Sequence, residues 1–283
     1  MSPPTALQTD LEAVLQRICA HERCVLHLDY DGTLTPIVAH PADARLSRMT
    51  RHLLTALAGH RRYRVAIVSG RALADLRACI GIESIWLAGN HGLEIEGPGV
   101  LYCHPGARRL RPQMEALARA LSHALAEIPG AWVEDKGLTL AVHLRSVPAP
   151  SVPRVQCQLL RLAGPALAAG TWTLRTGKAV LEIRPNVPWD KGSAVRWITE
   201  RACQDVPPAS RLAVYIGDDE TDEDAFRAVG PAGIGIRVGD DQLSSAAHYY
   251  VDSVDHVTQF LSRLSEVQGV RCKVQGTKCK MQS

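Results

Sequence analysis

With 283 residues, 46% apolar and 22% charged, the chain has material for one large domain, or for a core carrying an inserted smaller one, and a disordered chain is excluded. No apolar run reaches the roughly 18 residues of a membrane span, and the opening MSPPTALQTDLEAVLQ lacks the basic start and apolar core of a secretory signal. The formal charge of +3 arises at the end, where Arg271, Lys273, Lys278 and Lys280 follow Glu266 with no acid among them. The remainder holds 28 basic against 29 acidic residues, which gives a nucleic-acid-binding face no support.

From residue 25 onward, strand-like and helix-like segments alternate. Residues 25–28, 64–68, 85–88, 212–216 and 234–238 read as short apolar strands, and residues 45–58, 72–79, 191–203, 222–229 and 254–264 read as helices. That alternation predicts an α/β fold with a Rossmann-like, mostly parallel sheet, whose ligands bind beyond the carboxyl ends of the strands. Between about 108 and 187 the pattern changes. Met114, Leu117, Ala118, Leu121, Leu125 and Ile128 recur at helical spacing, residues 138–144 alternate as a strand, and 155–168 reads as a second helix interrupted at Gly164-Pro165. A hairpin of 171–174 and 179–183 around Thr176-Gly177 completes a compact α+β unit. The expected division is therefore a core from 1–107 and 188–266, an inserted α+β cap at 108–187, and a disordered basic tail at 267–283.

The acidic residues gather where those strands end. In HLDYDGTLTP, Asp29 and Asp31 lie two apart, which in an extended segment points both carboxylates to one side, and Gly32 allows a sharp turn. GDDETDED, residues 217–224, adds six acids at another strand end. Such clusters repel unless a cation sits among them, and oxygen-only ligands without His or Cys point to magnesium rather than zinc. One of these acids, Asp222, also suits a helix N-cap. The eight cysteines contain no C-x-x-C pair, which speaks against a zinc site or a dense disulfide framework and fits a cytoplasmic setting. Only six lysines stand beside 26 arginines. Lys136, Lys178 and Lys191 are the three outside the tail, and a lysine kept among so many arginines reads either as a place needing a compact ammonium or as chance retention.

The Asp-x-Asp-Gly-Thr run, Ser69 at a strand end, Lys191 opening a helix and the Gly-Asp-Asp-x-x-Asp cluster, in that order, resemble the four motifs of the haloacid dehalogenase superfamily. DGTLTPI, VSGR, GNHGLEI, KGLTLAVHLR, GKAVLEIRP and GDDETDEDAF resemble the trehalose-6-phosphate phosphatases in particular. The resemblance implies hydrolysis of a sugar phosphate through an aspartyl-phosphate, with Asp29 the nucleophile and Asp31 the general acid and then base. It further implies Ser69 and Lys191 on the phosphoryl group. Mg2+ would be held by Asp29, the backbone carbonyl of Asp31, and Asp218, with Asp219 and Asp222 orienting ligands and waters. Thr33, Gly70, Arg71, Asn90, His91, Lys136, His143, Arg145, Lys178 and Glu182 are the candidates for binding substrate.

Two parity arguments refine that set. Lys178 and Glu182 lie four apart, and His143 and Arg145 two apart, so each pair shares a face of an extended strand. Arg175 and Arg184 read as surface charge. The expected enzyme is a monomer acting on trehalose 6-phosphate, without nucleic-acid or membrane partners, supplied by a separate trehalose-6-phosphate synthase. Its cap closes about hinges at 98–105 and 184–188. The competing readings are a phosphatase for another sugar phosphate, such as sucrose phosphate or glucosylglycerol phosphate, and a non-catalytic sugar-phosphate sensor.

Overall fold

The computed structural model describes residues 4–38, 40–177, 179–239 and 244–278, the last stretch with side chains to residue 267. The chain opens with β1 (Thr5–Ala6), α1 (Leu7–Ala20) and β2 (Arg23–Leu28), followed by α2 (Arg48–Ala58), β3 (Tyr63–Val68), α3 (Leu73–Ile80) and β4 (Trp86–Gly89). A hairpin of β5 (Glu94–Gly97) and β6 (Val100–Cys103) follows. Then come α4 (Pro105–Leu125), β7 (Trp132–Asp135), β8 (Leu140–His143), α5 (Val152–Ala168), β9 (Trp172–Gly177) and β10 (Val180–Pro185). The chain ends with α6 (Lys191–Ala202), β11 (Arg211–Gly217), α7 (Glu223–Val229), β12 (Ile234–Val238), β13 (Tyr249–Val251) and α8 (Val254–Lys278).

Two sheets result. The larger has the order β1-β13-β12-β11-β2-β3-β4-β5-β6, parallel from β1 to β4 and antiparallel in its last two strands. Its central strands are mostly apolar, and β2 and β12 are buried at every position, Arg23, His27 and Arg237 included, as a sheet covered on both faces requires. One cluster, including Leu26, Ile67, Leu54 and Leu261, packs beneath α1, α2, α3 and α8, and a second, including Val25, Val68, Val195 and Phe226, lies under α6 and α7. The ends of the helices are specified locally. Ser47 accepts from the Thr50 N–H at the start of α2, and Asp190 accepts from the Ser193 N–H at the start of α6.

The smaller sheet, β7-β8-β10-β9, is wholly antiparallel. Its register settles which residues share a face. Val133, Val142, Leu181, Leu140 and Ile183 point toward α4 and α5, where they join Met114, Leu121, Val155 and Leu159 in one core. The opposite face carries Trp132, Glu134, His143, Glu182, Arg184 and Arg175.

Several expected elements differ in extent. The helix expected to break at Gly164-Pro165 runs unbroken to Ala168, because Pro165 lies in the last turn on an exposed side, where the carbonyl it leaves unpaired can meet water. The first expected hinge, 98–105, contains β6, a paired strand rather than a loose connection. The tail expected to be disordered from 267 continues α8 to Lys278; no proline interrupts it, and Val267 still packs against the core. No helix among the described residues is long and apolar enough to cross a membrane.

Candidate active site

The acidic residues converge at the carboxyl ends of β2 and β11, neighbouring parallel strands in the middle of the larger sheet. Asp29 follows β2 directly, its N–H bonded to the Ile216 carbonyl of β11. Tyr30 turns the other way into the core, its hydroxyl on the Ala44 carbonyl. Carboxylate oxygens of Asp29, Asp218 and Asp222 lie within 4.8 Å of one another. Two glycines permit this crowding. A side-chain carbon on Gly32 (φ +86°) would fall 2.2 Å from an Asp218 oxygen, and one on Gly217 would fall 2.4 Å from the Asp222 carboxyl carbon.

Lys191, the first residue of α6, reaches into this cluster. Its Nζ donates to Asp29 Oδ1 at 2.8 Å and to Asp222 Oδ1 at 2.7 Å, with all three side chains buried. Burial would lower its pKa, but Asp222 and Asp29 outweigh burial and hold it above the usual lysine value. Burial, with Asp222 and Asp218 alongside, pushes Asp29 well above the ordinary carboxylate range, against the pull of Lys191. Three carboxylates facing one ammonium leave an excess of negative charge, and the donor set is all oxygen. The residues therefore fit a divalent cation.

The expected site residues divide by what they touch. Asp31 is held by Arg71 through both carboxylate oxygens, at 2.6 and 2.7 Å, so its backbone carbonyl is what it can offer a cation. Arg71 also donates to the Pro41 carbonyl and lies over the Tyr30 ring, so its guanidinium is occupied within the protein. Ser69 Oγ accepts from the Arg71 N–H, and Thr33 Oγ1 is buried without a hydrogen-bond partner among the described residues. Asp219, expected to orient ligands, is exposed. It forms a capping box with Asp222, which commits its carboxylate to backbone N–H groups.

A second cluster forms where the polar face of the smaller sheet meets the β3 and β4 ends. Glu182 accepts from Lys136 Nζ at 3.1 Å, from Arg184 Nε at 2.7 Å and from His91 Nε2 at 3.1 Å. Burial would raise its pKa, yet His91, Lys136 and Arg184 hold it well below the usual range. Burial in turn lowers His91 to about 4, so its ring is neutral at pH 7. Lys136 also donates to the Gly70 carbonyl, and Gly70 must lack a side chain because one would fall 2.6 Å from the His91 ring. Asn90 and His91 both adopt left-handed backbone, φ 50° and 57°.

Asn90 takes a different part from the one expected. Its amide is fully buried and engaged by Glu94, the Lys136 carbonyl and the Thr139 hydroxyl, so it ties the two sheets together rather than facing a ligand. His143 stacks on Trp132 with ring centroids 3.8 Å apart and bonds Glu134 at 2.8 Å. Arg145 lies two residues beyond the end of β8, exposed, and donates to the Val38 carbonyl at 3.5 Å. Lys178 lies outside the described residues.

Two residues were missed. Arg184, read as surface charge, stands two positions from Glu182 on β10, so the same parity that paired Lys178 with Glu182 also placed it there. Glu134 aligns with Glu182 across the sheet through Ala141; its signal, an acid two before Lys136, is visible only once the register is known. His143 and the nearby cations hold Glu134 below its ordinary pKa, although burial opposes them.

A family profile described as Trehalose-phosphatase matches residues 27–255. The chain belongs to the trehalose-phosphatase family. A Mycobacterium leprae trehalose-phosphate phosphatase is 38% identical over 272 residues, covering 93% of this chain and 61% of that protein. A Mycobacterium tuberculosis protein described as an uncharacterized glycosyl hydrolase is 41% identical over 267 residues, 93% of this chain but 20% of its own length. The chain thus spans less than two thirds of these curated relatives. Among solved structures, the C-terminal domain of the Candida albicans trehalose-6-phosphate phosphatase superposes with a TM-score of 0.77 at 22% identity, over 94% of this chain and 99% of that one. The trehalose-phosphatase fold is thereby shared across nearly the full chain.

Proposed function

We propose that this trehalose-phosphatase family member hydrolyses trehalose 6-phosphate to trehalose and phosphate through an aspartyl-phosphate on Asp29. The observation that carries the reading is the juxtaposition of two sites. A buried carboxylate bonded to a buried lysine stands at the sheet end, and Lys136 joins the polar face of the smaller sheet to the loop carrying Ser69.

Asp29 attacks the phosphorus while Lys191 neutralises a phosphoryl oxygen. Ser69 and the unpartnered Thr33 hydroxyl supply hydrogen bonds to the same group. Mg2+, held by Asp29, Asp218 and the Asp31 carbonyl, would cancel phosphoryl charge that otherwise repels the nucleophile. Asp31 protonates the leaving sugar oxygen and later deprotonates the hydrolytic water. Because Arg71 holds both of its oxygens, proton transfer through Asp31 involves loosening at least one of those bonds.

In this reading the segment 108–187 acts as the cap. Glu182, Lys136, Glu134 and His143 meet the sugar hydroxyls, and a site that hydrogen-bonds hydroxyls rejects a substrate lacking them. A cytoplasmic monomer supplied by a separate synthase completes the proposal. The test is phosphate release with Mg2+ from trehalose 6-phosphate, sucrose 6-phosphate, glucose 6-phosphate and an aryl phosphate. Strong preference for the first supports the reading. Equal rates discard the substrate, and silence on all four discards the phosphatase.

A further inference from the structure

Asp222 is fully buried, and its carboxylate is enclosed on every side. Oδ1 accepts from Lys191 Nζ at 2.7 Å and from the Tyr215 hydroxyl at 2.5 Å. Oδ2 accepts from the Asp219 N–H at 2.9 Å. Gly217 packs close by, since a side-chain carbon there would fall 2.5 Å from Oδ2. A carboxylate has about four acceptor sites, and protein donors fill three of this one's.

Tyr215 comes up from inside the sheet. It lies on β11 three residues before Asp218, fully buried, its ring edge-on to Phe226 with centroids 5.5 Å apart at 82°. Its neighbours Val214 and Ile216 are apolar, and a phenylalanine would fill the same space. A hydroxyl buried at this depth is costly unless bonded, and its bond goes to Asp222.

We propose that Tyr215 is a positioning residue for the phosphatase reaction: its hydroxyl fixes Oδ1 of Asp222, and Asp222 holds the Lys191 ammonium against the nucleophile. The inference rests on the phosphatase reading above. It divides the clustered carboxylates, leaving Asp29 and Asp218 to a cation and Asp222 to the lysine. The distance between Lys191 and Asp29 is then set before substrate arrives, which is the kind of preorganisation that raises kcat rather than affinity.

The test compares wild type, Y215F, D222N and Y215F/D222N. Steady-state phosphate release from trehalose 6-phosphate with Mg2+ is followed at enzyme concentrations high enough to register slow variants, and Mn2+ binding to each substrate-free protein is followed by electron paramagnetic resonance. Y215F is expected to lose roughly 10- to 100-fold in kcat, the scale of one lost hydrogen bond to a charged group, with KM within about twofold. Its Mn2+ dissociation constant is expected to match wild type, and the double variant to match D222N within about twofold, because Tyr215 acts through Asp222. Wild-type kcat in Y215F overturns the proposal. So does Mn2+ affinity that falls in step with kcat, or a double variant far below D222N. The double variant set against D222N gives a second reading that does not rest on Y215F alone, because both lack the Asp222 carboxylate through which Tyr215 acts. A silent wild type would overturn the phosphatase reading and the positioning role with it; an active wild type beside an unaffected Y215F overturns only the latter.

Discussion

Replacing Glu182 by Gln removes one charge from a carboxylate that faces two permanent cations inside the protein. Lys136 Nζ lies at 3.1 Å and Arg184 Nε at 2.7 Å, with the Glu182 side chain 9% exposed. At an effective dielectric constant of about 20, each contact corresponds to about 5–6 kcal/mol of gross Coulomb energy. Most of that offsets desolvation, and breaking a buried pair by removing one partner costs about 3–5 kcal/mol net. Gln retains an acceptor for one cation, so E182Q should lose about 2–3 kcal/mol in urea unfolding. Catalysis should divide by substrate. On trehalose 6-phosphate, kcat/KM should fall by roughly two to three orders of magnitude, because the site loses its charged acceptor and the Lys136 bridge to Gly70. An aryl phosphate, which has no hydroxyls to place, should lose only a few-fold. Equal losses on both substrates would refute a specificity role, and an unchanged urea midpoint would refute the ion cluster itself.

Other perturbations give sharp outcomes. D29N should abolish turnover while matching or exceeding the wild-type urea midpoint, since burial, Asp222 and Asp218 already disfavour the ionised carboxylate; retained activity would end the covalent mechanism. G32A should weaken Mn2+ binding and lower activity by at least tenfold, because the new methyl meets the Asp218 carboxylate and the backbone is left-handed; titration with Mn2+ checks it. Chelation should remove activity and Mg2+ restore it, followed by phosphate release before and after EDTA. His27, buried on Thr199, has its pKa lowered to about 3 against about 6.5 when unfolded. Between those values only the unfolded chain takes up the proton, so stability should fall with pH below about 6.5, by up to about 1.4 kcal/mol per unit. H27Q should flatten that slope in urea titrations from pH 7 to 5, and an unchanged slope would show that His27 is not its source.

The parts of this molecule legible in the sequence share one trait, a local signal. Apolar strands ending in Asp29, Ser69 and Asp218 announce a parallel sheet and its ligand-binding edge, and Asp190 before Lys191 announces a helix start. Contacts decided across strands were not legible. Arg184 looks solvent-bound until the β10 register sets it beside Glu182, and Asn90 looks available until Thr139 and the Lys136 carbonyl arrive from the turn between β7 and β8. Arg145 illustrates the limit of such patterns: its alternation with His143 is real in the sequence, but β8 ends at His143, two residues before it. The hairpin β5–β6 escaped notice because Leu101 and its neighbours lie on an edge where no steady alternation is required.

The pairing of β2 with β11 brings Arg23 beside Arg211 and His27 beside Tyr215, so the centre of the large sheet joins residues nearly two hundred positions apart. Between them, the smaller sheet and its two helices form one uninterrupted stretch of chain. On a ribosome, that stretch has all its partners when residue 185 emerges, while the nucleophile must wait for β11 and Asp218. Folding would thus run from the middle outward, with loop closure across the long β2–β11 gap as the slow step. A nascent or truncated chain ending before β11 carries Asp29 and Lys191 but lacks Asp218 and Asp222, which complete the cluster. Chemical competence is withheld until the sheet is complete.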